Sequence, residues 1–103
     1  MQQTPVYNHK EYRDCIEIAE FAKIYSFSDR HGKVLGRNKI FEILRALRIL
    51  DNKNFPYQQY MRHFKVMPKT FQQGEKLFEK FIPLITPEGQ NYLKQRIEDY
   101  LNV

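Results

Sequence analysis

A chain of 103 residues, 42% of them hydrophobic and 28% charged, holds enough apolar material for one small core, which excludes a second domain and disorder throughout. The single cysteine, Cys15, excludes an internal disulfide. No stretch reaches the roughly 18 apolar residues of a membrane span, so secretion and a membrane partner are not expected, and a reducing, cytoplasmic setting is. The formal net charge of +5 is concentrated: between positions 30 and 48 the chain carries Arg30, Lys33, Arg37, Lys39, Arg45 and Arg48 against Glu42 alone, and the rest of the sequence is balanced. Such a stripe fits a polyanion partner, and it also fits a merely solvated face.

In chain order, residues 1–15 include Pro5, Asn8 and mixed charges without periodicity and read as an arm or linker ahead of a folded unit, 16–103. The segment "IEIAEFAKIYSF" sets Ile18, Phe21, Ala22 and Tyr25 at helical spacing on one side, which predicts a short amphipathic helix. "SDRHGK" interrupts it with turn formers. From "GRNKIFEILRALRIL" a second helix is expected, burying Ile40, Ile43, Leu44 and Leu47 and presenting Asn38, Glu42 and Arg45 outward, with Lys39 on one flank and Arg37 and Arg48 on the other. Two short helices with the charge on the second make the unit of a helix-turn-helix.

"DNKNFPYQQY" then opens on turn formers, and Pro56 allows at most a short helical turn through Tyr60. "FKVM" alternates and predicts a strand; "LFEKFIPLI" predicts a second, joined to the first through "PKTFQQGEK", where Gln73 and Gly74 suit a hairpin turn. Pro83 lacks a ladder donor, so its strand is expected at a sheet edge. Lys69, Lys76 and Lys80 would make this hairpin a basic wing. In "TPEGQNYLKQRIEDYL", Thr86 is a cap, Pro87 suits the first helical position and Glu88 the positive helix end. Leu93, Ile97, Tyr100 and Leu101 form the inward stripe of this last helix, and Gly89 would let another backbone come close. The fold class is therefore α+β, mainly α, in the order helix, helix, hairpin, helix.

Four of these segments resemble, in order, the motifs of the KilAC domain of phage antirepressors: "GRNKIFEILR", "PYQQY", the strand residues Phe64 and Val66, and "TPEGQNYL". They span approximately 16–97. The resemblance implies a winged-helix-like DNA-binding domain acting in phage gene control within a bacterial host cell. It also implies either double-stranded DNA or a repressor protein as partner. The N-terminal domain of a full antirepressor has no counterpart here, so the chain is expected to be a free-standing relative or a fragment.

If the second helix enters a major groove, Arg37, Asn38 and Lys39 reach base edges first, Arg pairing with guanine and Asn with adenine, and Arg45 follows for phosphate or base. Asn38 could instead cap the helix, Arg37 and Arg48 could cover the Phe41 ring, and Glu42 could accept from cytosine or pair with Arg45. Arg30, Lys33, Lys69, Lys76 and Lys80 suit phosphates, although Glu75 and Glu79 are candidate partners for the wing lysines. The aromatic residues Phe21, Tyr25, Phe41, Tyr92 and Tyr100 are assigned to the core rather than to base stacking. His9, His31 and His63 form no zinc pattern with Cys15, and no catalytic motif is present, so no metal, cofactor or enzymatic activity is expected. One such domain makes few phosphate contacts, and useful specificity is expected to need a homodimer or an attached module.

Overall fold

The structure, a computed structural model, describes residues 12–102. Most of the expected N-terminal arm, residues 1–11, lies outside the described residues. A turn returning the Cys15 N–H to the Tyr12 carbonyl (3.1 Å) buries Cys15 and leads into strand β1, Ile16–Glu17. Helix α1, Ile18–Tyr25, buries Ile18, Phe21 and Ala22, as its spacing requires, and ends at Ser26, whose φ of 47° is left-handed. The connection to the next helix, 26–36, is longer than a tight helix-turn-helix turn, yet it is folded. Phe27 and Leu35 are both buried and joined by the Leu35 N–H to the Phe27 carbonyl at 2.8 Å. Within it Asp29 Oδ1 accepts from the N–H groups of His31 (2.8 Å) and Lys33 (2.9 Å). These backbone donors, Lys33 first, hold the Asp29 carboxyl below its ordinary range.

Helix α2, Arg37–Ala46, buries Ile40, Phe41, Ile43 and Leu44. Leu47, expected on the same face, lies just past the helix end and packs half-buried against the core. A second loop follows, in which Asp51 Oδ1 accepts from the N–H groups of Lys53 (2.8 Å) and Phe55 (3.0 Å). A 3-10 turn, Gln58–His63, then delivers the chain to the sheet.

Strands β2, Phe64–Gln73, and β3, Lys76–Ile85, pair antiparallel along their whole length, leaving Gly74 and Glu75 as the turn. Gly74, with φ +64°, supplies the positive φ that a tight hairpin needs at its first central position. The expected first strand thus continues past Met67, because β2 is an edge strand on which Pro68 loses no partner. The sheet order is β1-β3-β2, which corrects the expectation for Pro83: its strand is central. Pro83 is tolerated because β1 reaches only Ile85 and Leu84 before turning into α1, so the β1 side of β3 is unpaired from Pro83 onward among the described residues.

Helix α3, Pro87–Leu101, closes the core with Leu93 and Ile97, both fully buried. Thr86 caps it, accepting from the Gly89 N–H at 2.9 Å. Tyr100 is 44% exposed and does not join the inward stripe. In this last turn Leu101 is the residue that packs against the core, beside the end of α1.

The two segments 56–60 and 86–93 that carry much of the family resemblance meet through Tyr60 and Tyr92, whose ring centroids lie 6.2 Å apart. His63 stacks on Tyr92 (4.2 Å between centroids, 3° between planes), and the Arg96 Nη1 donates to the Tyr92 hydroxyl at 2.6 Å. Burial pushes the His63 imidazole below its ordinary pKa, and its buried Nδ1 has no hydrogen-bond partner among the described residues. Gly89 is the closest approach: a Cβ there would overlap the His63 carbonyl oxygen and lie 2.9 Å from the His63 Cβ. Gly89→Ala gains about 1 kcal/mol of helix propensity but forces backbone apart, an overpacking that costs about 1–3 kcal/mol or more. A net fall in the urea midpoint is expected, and a rise would contradict the packing account.

Candidate nucleic-acid interface

The first turn of α2 is built from residues that the core does not need. Ile40 and Phe41 anchor the helix from below, and Arg37, Asn38 and Lys39 all stand exposed at its start. Gly36 is the N-cap, in extended backbone, and provides no side-chain cap; the turn contains no acid. Since the Ile40 N–H is the first to bond within the helix, to the Gly36 carbonyl at 3.1 Å, the amides of residues 37–39 are the free donors of a positive helix end. Asn38 is therefore not the cap that its residue type allowed. Its Oδ1 instead accepts from Arg37 Nη1 at 3.0 Å, and the Arg37 guanidinium lies 4.6 Å from the Phe41 ring centroid. Arg37 thus covers Phe41 as one reading held, while its remaining donors face outward. Arg48 lies beyond the helix with φ 62°, and among the described residues the cation over that ring is Arg37.

Further along the helix, Lys39 Nζ meets Glu42 at 3.3 Å, so Glu42 pairs with Lys39 rather than Arg45. Both side chains are more than half exposed (57% and 59%), and a pair of that kind contributes little and yields readily to a stronger anion. Arg45 is different: half-buried, it donates from Nη1 to Asn54 Oδ1 at 2.6 Å. That bond ties the 51–55 loop to α2 and commits one face of the guanidinium internally.

A concavity of about 740 Å³ at the start of α2 brings Lys33 and Asp29 together with Gly36, Arg37, Asn38 and Lys39. Arg30 is exposed on the loop that shapes it, but does not line it. The hairpin carries the other cations. Only the base of β3, Pro83 to Ile85, is buried; the strand from Lys76 to Phe81 stands in solvent. Lys69 is directly opposite Lys80, and the two ammonium groups lie 5.6 and 5.7 Å from the same Phe71 ring, which stacks on Phe78. Strand periodicity sends Glu79 to the opposite face, across from Thr70. Among the described residues no ion pair joins Glu75 or Glu79 to Lys69, Lys76 or Lys80.

Sequence reasoning missed a set of solvent-facing rings. Phe55, Phe78 and Phe81 are exposed and Phe71 half-exposed, whereas the aromatic content was assigned to the core. Three of them, Phe55, Phe71 and Phe81, line with Arg37, Phe41 and Lys80 a second cleft between α2, the 51–55 loop and the hairpin, which joins the helix start to the wing. Extending the strand alternation beyond Met67 would have marked Phe71 and its partner Phe78, whereas Phe81 falls on the face of Phe64 and Val66 and is exposed because the hairpin runs past the buried base of β3; nothing in the local sequence marks Phe55.

Comparison with known proteins gives one finding. Residues 8–100 match the family described as "ANT: Phage antirepressor protein KilAC domain". No curated protein and no solved structure matches the chain.

Like charges directly opposed across two strands destabilise the pair, by about 0.2–1 kcal/mol. Lys80→Glu converts that repulsion into an attraction with Lys69, so the urea midpoint is expected to rise, and more at low salt than at high. An equal or lower midpoint at low salt would show that the two lysines are not in conflict.

Proposed function

The chain belongs to the KilAC family of phage antirepressor domains, and from that premise we propose a non-catalytic, winged-helix, sequence-reading DNA-binding domain that acts in the bacterial cytoplasm. In this reading α2 enters the major groove start first. Arg37 donates to guanine, Asn38 pairs with adenine, and Lys39 leaves Glu42 for a phosphate or base. The hairpin is the wing: Lys69, Lys76 and Lys80, with Lys33 and Arg30 on the loop, hold phosphates and fix position without reading sequence. Arg45 acts as a positioning residue, bracing α2 through Asn54.

The observation that carries the reading is the first turn of α2. Three side chains able to bond bases, and three amides without partners in the helix, open to solvent at one spot with no acid in the turn. Gly36 supports it. Its backbone is not one that requires glycine, and a Cβ there would meet nothing within 4 Å, so neither strain nor internal packing explains the bare position. A bare backbone beside free amides is where a phosphate can approach closely. The opposed lysines of the hairpin lose their mutual repulsion when a polyanion lies across them. A single domain of this size needs a dimer or an attached module for useful specificity.

Fluorescence anisotropy on labelled duplexes, one selected from a random pool and one scrambled, tests the assignment across a salt series. The logarithm of affinity is expected to fall linearly with the logarithm of salt concentration. Arg37→Ala is expected to weaken the selected duplex by about 1–3 kcal/mol and narrow its advantage over the scrambled one. Lys76→Ala should weaken both alike and lower the salt slope by about one. No duplex binding at low salt, with tight capture of a repressor protein, would replace this reading with that of a protein-interaction module.

A further inference from the structure

The cleft between α2, the 51–55 loop and the hairpin has features that duplex binding does not use. Its volume, about 820 Å³, lies within the range of true ligand pockets. Phe81 and Phe55 meet edge to face inside it at 6.4 Å while remaining 54% and 38% exposed. Two phenylalanine rings left open to this degree within one cleft offer a partner an apolar contact. The rim is cationic on balance: Arg37, Lys53 and Lys80 stand against Asp51 and Glu17, and Asp51 Oδ1 is already committed to two backbone N–H groups. One wall is the β3 segment from Lys80 to Pro83, whose edge beyond the short β1 is unpaired among the described residues.

We infer that this cleft docks an extended, acidic peptide segment that places a bulky apolar side chain against Phe55 and Phe81. The backbone of the segment lies along the open edge of β3, the mode by which extended peptides join a sheet. Its carboxylates meet Arg37, Lys53 and Lys80. An unpaired nucleic-acid base fits less well, because stacking needs an open ring face. The Phe41 face lies under Arg37, and two lysines crowd the Phe71 ring. The Phe55 and Phe81 rings are turned edge to face on one another, and an aliphatic or aromatic side chain flanked by carboxylates uses what this pair leaves exposed, together with the rim charges.

The test is fluorescence anisotropy on the full chain with three labelled twelve-residue peptides. One alternates Glu and Asp with Leu and Phe, the second replaces Leu and Phe by Ser, and the third replaces the acids by Lys. Phe81→Ser and Lys53→Glu alter exposed residues outside the proposed duplex contacts, and Ile24→Ser, at an exposed position on α1, is the control. Binding of the first peptide alone is expected, weakened at least tenfold by each cleft substitution and unchanged by the control, with thermal melts of all variants matching the parent. Equal binding of the Ser peptide, or indifference to Phe81→Ser and Lys53→Glu, would overturn the assignment. It would also fall if those substitutions instead abolished binding of a single-stranded thymidine oligonucleotide, or abolished self-association of the chain without peptide. Duplex binding, measured alongside, is expected to persist in both cleft variants, which separates failure here from failure of the DNA reading.

Discussion

The packing of α3 depends on one approach of backbone to backbone, Gly89 against the carbonyl of His63. That carbonyl also accepts from the Thr86 N–H at 3.1 Å and the Thr86 hydroxyl at 3.3 Å, so the start of α3 and the start of β2 are clasped at a single point. From there Leu93 and Ile97 enter the same core as Ile40 and Leu44 of α2. A helix whose buried face is fixed has its exposed face fixed as well. The outward position of Arg37, Asn38 and Lys39 therefore follows from packing on the far side of α2.

This explains how two kinds of motif coexist in so short a chain. The stretches 57–63 and 86–97 act in assembly: a stacked His63 and Tyr92, Arg96 bonded to Tyr92, a threonine cap and a glycine that admits another backbone. The stretch from Gly36 to Lys39 plays no comparable part in assembly. Its residues are exposed, its N-cap has no side-chain bond, and its charges oppose the positive end of the helix dipole. The hairpin repeats that pattern with Lys69 facing Lys80. Both features oppose stability locally, and both are relieved by an anion.

The helices were legible because their apolar periodicity agrees with their burial, and α3 was legible down to its cap and its close-packed glycine. The hairpin was misjudged where Pro68 was placed in the connection and Pro83 was taken to mark an edge. Pro68 lies within an edge strand, and Pro83 lies in the central strand beyond the reach of β1, and neither circumstance is visible until the sheet order is known. Tyr100 has the right angular position on α3 but remains 44% exposed in its last turn. At the site, exposure of the cations followed from the helical face, whereas their internal partners did not. The bond from Arg45 to Asn54 crosses a turn in which Arg48 and Asn54 both have positive φ, and no spacing rule predicts it. The open phenylalanines were hidden in composition, which counts rings without placing them.

The central claim is that a duplex meets the start of α2 and the hairpin together. Amide chemical-shift mapping of the 15N-labelled chain with a random-sequence duplex at low salt tests it most directly. The account predicts the largest shifts at Gly36, Arg37, Asn38 and Lys39, with a second group between Lys69 and Lys80. Shifts confined to the packed segments 57–63 and 86–97, with the start of α2 unmoved, would contradict it.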